Sequence, residues 1–177
     1  MKICKPKRVN YRLISEDNGA YELLERALEW HGDLLQAKIA LAWKLHTKED
    51  KDGRIVLGRC VKVSPLNREF IPFDFVIVLN SDYWDRFAEN QRLALLDHEL
   101  CHAAEALTLD GEQITDEAGR KAWRCRKHDI EEFRSVVERH GLYKLDLERF
   151  AEAIRRSKKA PLLETIHVEV SHGGGQK

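Results

Sequence analysis

The stretch that decides the fold is RLALLDHELCHAAEAL, residues 92–107, which contains the spacing His-Glu-x-x-His. Its two histidines, His98 and His102, stand four residues apart, and Glu99 directly follows the first. The surrounding residues are mostly apolar and favour helix, and leucines recur at helical spacing. The pattern therefore predicts a buried helix over roughly residues 90–107 that carries all three polar side chains.

The positions of these side chains on a helix indicate a hydrolytic zinc site. Residues four apart lie one turn above each other, so His98 and His102 can point at one ion. Glu99 is rotated by about 100° from His98 and borders the ion without being a ligand. A carboxylate there can accept the proton of a water that zinc has acidified. The alternative, ordinary core histidines, is less favoured because each buried polar group would need its own partner.

A catalytic zinc usually takes three protein ligands and leaves one position for water, so we expect a third ligand after this helix. The candidates are Glu105, Asp110, Cys125, His128, Asp129, Glu131 and Glu132. Glu105 is so close to His102 that we expect it beside the ligands and not among them. His128 is favoured because the alternating segment AWRCRK, residues 122–127, ends there against a helix that Asp129 is expected to cap. A side chain at such a junction can project over a neighbouring helix.

The rest of the chain predicts an α+β order around the motif. The changes between helical and two-residue periodicity mark the element boundaries. The predicted elements are a helix over 19–31, strands over 37–45 and 54–63 joined as a hairpin, a strand over 74–80 covered on both faces, and helices over 129–140 and roughly 146–158. The chain shows no internal repeat and no linker.

Composition narrows the class of protein. The chain has 177 residues, and its 30 basic and 30 acidic residues cancel, so no global charge favours nucleic acid or membranes. Basic clusters at residues 2–12 and 155–159 are most simply explained by solubility; a nucleic-acid partner would require that they converge on one face. No signal peptide or membrane-spanning run is seen, so we expect a cytoplasmic protein without a membrane partner.

The four cysteines have no paired spacing, which indicates reduced thiols and no disulfide framework. Cys101 lies inside the motif, and Cys125 is three residues before His128. We expect both to be buried small apolar residues and not metal ligands, because a structural site normally closes with four ligands and needs no additional acid.

The segments LLDHELCHA and KHDIEEF, with DFVIVLNSDYW before them, resemble the phage metallopeptidase family and, more distantly, SprT-like zinc proteases. The resemblance covers roughly residues 20–142. It implies a minimal zincin, in which a small, mainly antiparallel sheet packs on the active-site helix. By this resemblance His98 and His102 are metal ligands, Glu99 is the general base, and His128 completes the site.

We therefore expect one α+β domain over residues 1–160 and a tail over 161–177 that is disordered at its end. The domain is expected to bind one Zn²⁺ and to hydrolyse peptide bonds in a protein or peptide that lies extended along a sheet edge. If the chain is phage-encoded, it would act in the cytoplasm of the host cell. The alternative is a non-catalytic, zinc-stabilised binding or regulatory module, with DNA as a candidate partner. Such a module needs a fourth ligand but no base. The sequence carries no information on oligomeric state.

Overall fold

The computed structural model describes residues 10–157, so most of the N-terminal basic cluster, part of the second cluster and the predicted tail lie outside the described residues. The helices and strands are β1 (Tyr11–Leu13), α1 (Gly19–Leu28), a 3₁₀ helix (Gly32–Leu34), β2 (Ile39–Lys44), β3 (Gly58–Lys62), a 3₁₀ helix (Asn67–Glu69), β4 (Phe75–Asn80), α2 (Ser81–Trp84), α3 (Glu89–Cys101), β5 (Ala103–Glu105), β6 (Trp123–Cys125), α4 (Arg134–His140) and α5 (Leu145–Arg156). Of the described helices, none has the length and apolarity needed to cross a membrane.

The chain divides into two compact units, the first ending at His128 and the second beginning at Asp129. The α+β class with a small, mainly antiparallel sheet is confirmed. That residues 1–160 form one zincin-like domain stays a prediction.

The sheet has the order β1-β2-β4-β3. Strand β1 is antiparallel to β2, and β3 is antiparallel to β4, whereas β2 and β4 are parallel. The predicted hairpin of the second and third strands is therefore wrong, because β4 lies between them. Strand β4 is the more apolar and takes a position with partners on both sides, while β3 exposes Arg59 and Lys62 and takes the edge, where charged residues are tolerated.

One face of the sheet forms the core with α1 and α3. Phe75, Ile77 and Leu79 of β4 are fully buried, and so are Leu96 and Leu100 of α3. Each such side chain contributes about 1.5–3 kcal/mol through burial. On the other face of β4 the valines at 76 and 78 are half-buried, so the prediction that this strand is covered on both faces is wrong. The packing fixes α3 and so determines which of its residues remain accessible.

The predicted active-site helix ends earlier than its sequence suggests. Helix α3 stops at Cys101, and His102 is its C-terminal cap. The following residues pair as β5 with β6, and the His102 carbonyl accepts from the Arg126 amide at 2.7 Å. These backbone bonds override the helix propensity of the AAEAL segment. Helix α1 likewise ends at Leu28, three residues before the predicted end.

In the second unit, α4 begins at Arg134 with Phe133 as its N-terminal cap, and not at Asp129 as predicted. It ends as predicted at Gly141, whose φ of +68° is a left-handed conformation that glycine adopts without strain. Helix α5 lies within two residues of its predicted bounds.

The segment before α4 is tied to the residues that precede α5. Glu132 accepts a hydrogen bond from Lys144 Nζ at 2.6 Å and another from the Tyr143 hydroxyl. The Lys144 contact, followed by those of Tyr143 and the Phe133 amide, lowers the pKa of Glu132 to about 2. This carboxylate therefore remains charged into strongly acidic solution.

Candidate metal centre

Helix α3 presents the motif residues on different sides. Glu99 lies on the buried side, where it is 3% exposed, and His98 is exposed. His102, at the end of the helix, is half-buried. One helical turn separates the two histidines, and their ring centroids are 5.1 Å apart. The helix therefore places two imidazoles at the surface and the carboxylate beneath it.

His128 reaches these imidazoles because the segment after β6 is attached to the end of α3. The Arg126 amide bonds to the His102 carbonyl, and the Arg126 guanidinium donates to the carbonyl of Cys101 at 2.9 Å. Two residues later, the His128 ring lies 5.1 Å from that of His98 and 4.5 Å from that of His102. Residues 30 positions apart in the sequence are thereby brought together.

The three rings fit a metal ion. The Nε2 atoms of His98 and His128 are 3.2 Å apart, and one donor atom from each of the three histidines lies within 4.8 Å of the others. Two nitrogens around a tetrahedral zinc, each about 2.0–2.1 Å from it, would be separated by about 3.3 Å. Nitrogens at such a distance need a proton or a cation between them, because two facing lone pairs repel. The group can thus hold a metal ion.

A hydrogen bond orients His102 for such a role. Its Nδ1 lies 2.9 Å from the Arg126 carbonyl oxygen. A carbonyl can only accept, so Nδ1 carries the hydrogen and Nε2 keeps its lone pair. Metal-binding histidines commonly donate their second nitrogen to a carbonyl or carboxylate in this way.

The electrostatic surroundings of His98 favour the form of imidazole that binds metal. Burial lowers the pKa of His98, and the neighbouring His102 and His128 lower it further, although Asp97 acts in the opposite direction. A lowered pKa keeps the ring neutral, with a lone pair available to an ion.

Glu99 lies against the edge strand β3. Burial raises the pKa of its carboxyl, and this effect is opposed by His102, by a hydrogen bond from the Cys60 amide and by Arg59. The backbone of Cys60 thus holds the Glu99 carboxylate on one side, and His102 lies near it. These contacts were not predictable from the sequence, since β3 is 37 or more residues away.

Both cysteines expected to be buried, Cys101 and Cys125, are exposed, so that prediction is wrong. The first stands in the last turn of α3 and the second at the end of the short strand β6, where little packs over either. Cys60 on β3 is more buried, and its burial, with Cys125 and Glu99 nearby, raises its thiol pKa to about 12. This thiol is therefore protonated at neutral pH.

Glu105 does not lie on the helix as its sequence suggested. It is in strand β5 and forms an ion pair of 2.8 Å with Lys121. The expectation that Glu105 is not a ligand is compatible with this contact, which occupies its carboxylate.

A second group of potential ligands was missed by sequence reasoning. His31, Asp97 and Cys101 also place one donor atom each within 4.8 Å of the others. Asp97 and Cys101 have the same four-residue spacing as the two motif histidines, and this spacing could have indicated a second pair of ligands. His31 could not be predicted, because it is remote in the sequence. His31 Nε2 lies 2.8 Å from Asp97 Oδ1, a hydrogen bond that satisfies this buried ring.

Comparison with known proteins identifies the family. A family model described as "Putative phage metallopeptidase" matches residues 14–155. The chain belongs to this family. The match includes α3 with its histidines and the segment that carries His128. No curated protein and no solved structure gives a significant match.

Proposed function

We propose that this chain is a zinc-dependent metallopeptidase in which His98, His102 and His128 bind the ion and Glu99 is the general base. The proposal rests on one observation: donor atoms of three imidazoles come together near the carboxylate of Glu99, which lies on α3 beside His98. Membership of a metallopeptidase family supports it. A family of peptidases also implies protein or peptide substrates.

The donor set suits zinc in a catalytic site. Three imidazoles leave one position of a tetrahedral ion for solvent or substrate, whereas structural sites normally use four protein ligands. When bound there, zinc would polarise a carbonyl and acidify a water. The Arg126 carbonyl keeps the Nε2 lone pair of His102 available, as described above.

Glu99 is suited to accept a proton. Desolvation raises the pKa of its carboxyl, the direction that favours a general base, while His102, the Cys60 amide and Arg59 act in the opposite direction. Its carboxylate can take the proton of an attacking water and later release it to the amine that leaves. The role requires no contact with the ion itself.

We further propose that the substrate lies extended along the edge of the sheet at β3. This strand is at the end of the sheet order and is in contact with α3, which carries Glu99. A peptide added to an exposed strand gains main-chain hydrogen bonds that do not depend on its sequence. Such binding would suit unfolded segments better than folded domains.

The test is a paired measurement of zinc content and cleavage rate in the wild type and in Glu99→Gln, with an unfolded protein such as reduced, alkylated casein as substrate. Gln keeps the size and shape of Glu but cannot accept a proton at working pH. We expect zinc to be retained and the rate to fall about a hundred- to ten-thousandfold. Activity above about a tenth of the wild type would exclude the base role, given that range. Loss of zinc with activity would make Glu99 a ligand and would favour a binding module.

A further inference from the structure

Gly58, at the start of the edge strand β3, lies directly against the Glu99 side chain. A Cβ added at Gly58 would be 2.9 Å from both Cγ and Cδ of Glu99 and closer still to Oε1. Real Cβ atoms do not approach other atoms so closely. At the other glycines of residues 10–157, a Cβ would have nothing within 4 Å.

The backbone conformation of Gly58 does not itself require glycine. Its φ lies outside the positive range in which glycine is favoured. Among the described glycines, a positive φ is found at positions 53, 111, 119 and 141. The residue is also part of a regular strand paired with β4, where glycine is generally unfavourable. The feature that glycine supplies here is therefore space.

The neighbouring backbone completes the contact. At the two ends of the β3–β4 pair, the Leu57 carbonyl accepts from the Asn80 amide and the Val63 amide donates to the carbonyl of Asp74, the residue before β4. Since backbone groups alternate in direction along an antiparallel strand, the amides of residues 58, 60 and 62 point away from β4, toward the side of β3 that has no partner strand in the sheet. This agrees with the hydrogen bond from the Cys60 amide to Glu99.

We propose that Gly58 is a positioning residue for Glu99: by lacking a side chain it leaves the space that the carboxylate occupies beside the Cys60 amide. The catalytic consequence rests on the proposed function, but the contact itself does not. Any side chain at position 58 pushes the Glu99 carboxylate out of this space. A displacement of about 1 Å in a catalytic group can cost about a hundredfold in rate.

The contact is tested first by thermal unfolding of chelator-treated protein, so that neither zinc nor activity enters the measurement. A double-mutant cycle combines Gly58→Ala with Glu99→Ala. In the wild-type background, Gly58→Ala should lower Tm by roughly 2–10 °C through overpacking. In the Glu99→Ala background, where the crowded atoms are gone, the same change should alter Tm by less than about 2 °C. Gly19→Ala, at a site with open space, is the control and should not lower Tm.

The catalytic role is tested on zinc-loaded protein. Gly58→Ala should retain zinc and lower kcat by about a hundredfold while changing KM little. Glu99→Asp, whose carboxylate is shorter by one methylene, should lower kcat by a smaller factor in the Gly58→Ala background than in the wild type. A merely structural glycine would not change that factor.

These outcomes separate the inference from the proposed function. Equal Tm losses in both backgrounds would overturn the contact, whatever the activity. Coupled Tm losses together with an unchanged kcat, or with an equal effect of Glu99→Asp in both backgrounds, would overturn the positioning role. If Gly58→Ala lowers Tm in the wild-type background but not in the Glu99→Ala background, while the wild type cleaves nothing, the packing contact stands. The proposed function then fails, and the catalytic role of Gly58 fails with it.

Discussion

Replacing His128 with Ala removes one of the three imidazoles that we propose as zinc ligands. Its Nε2 lies 3.2 Å from that of His98, so its loss takes away a donor and leaves the other two in place. The ring is exposed, and its truncation opens no cavity in the core. The substitution should therefore act on metal affinity and not on the fold.

The size of the effect follows from the number of ligands. Zinc sites with four protein ligands bind with about 10–16 kcal/mol, or about 3 kcal/mol per ligand. Loss of one ligand from a three-histidine site should then weaken zinc binding roughly a hundred- to a thousandfold, since about 1.4 kcal/mol corresponds to tenfold. The remaining pair, His98 and His102, should keep weak binding because α3 holds them one turn apart.

The affinity can be measured by competition with a chromophoric chelator, with His140→Ala as the matched control. His140 is also an exposed histidine but is in neither group of clustered donors. The reasoning would be refuted if His128→Ala bound zinc as tightly as the wild type. It would also be refuted if Cys125→Ala or Glu132→Ala lost the metal while His128→Ala kept it.

Three further predictions concern stability. Removal of zinc by a chelator should lower Tm and increase hydrogen exchange first in residues 108–128, because an ion bound only to the folded state stabilises it; an unchanged melting curve with the metal gone would contradict this. Glu132 has its pKa depressed to about 2, chiefly by Lys144, so its contribution to stability is present above its ordinary pKa of 4.5 and is lost as the pH falls toward 2. In Glu132→Gln, the free energy of unfolding measured in urea should therefore depend less on pH between 4.5 and about 2 than it does in the wild type. The same pH dependence in both proteins would exclude this contribution. Leu96→Ala should cost about 2–5 kcal/mol in unfolding free energy, against less than about 0.5 kcal/mol for the fully exposed Leu109→Ala, and equal losses would contradict the assigned core.

The local pattern of the sequence predicted the elements better than their arrangement. The spacing of His98 and His102 and the leucines around them is sufficient for a helix, because helical periodicity depends on neighbours within one or two turns. Strands β2 and β4 were also found within a few residues of their bounds, but β3 begins later than predicted and β1 was not predicted. Their order was not, because alternation identifies a strand but does not say which strand lies beside it.

Long-range backbone contacts account for the errors near the site. The early end of α3 depends on the pairing of β5 with β6, which no local propensity encodes. Asp129 was expected to cap a helix, but α4 begins at Arg134, and Glu132 is instead bonded to Lys144. The contact of Gly58 with Glu99 was missed for the same reason, since glycine in a strand gives no indication of what fills its empty space.

The central claim is that three histidines bind one zinc and leave a position open for chemistry. X-ray absorption at the zinc edge, on protein whose zinc content has been measured by elemental analysis, tests it most directly. The account predicts one zinc per chain, surrounded by three imidazole nitrogens and one solvent oxygen at about 2.0–2.1 Å, without sulfur. Sulfur at about 2.3 Å, or a fourth protein ligand, would contradict the account and indicate a closed structural site.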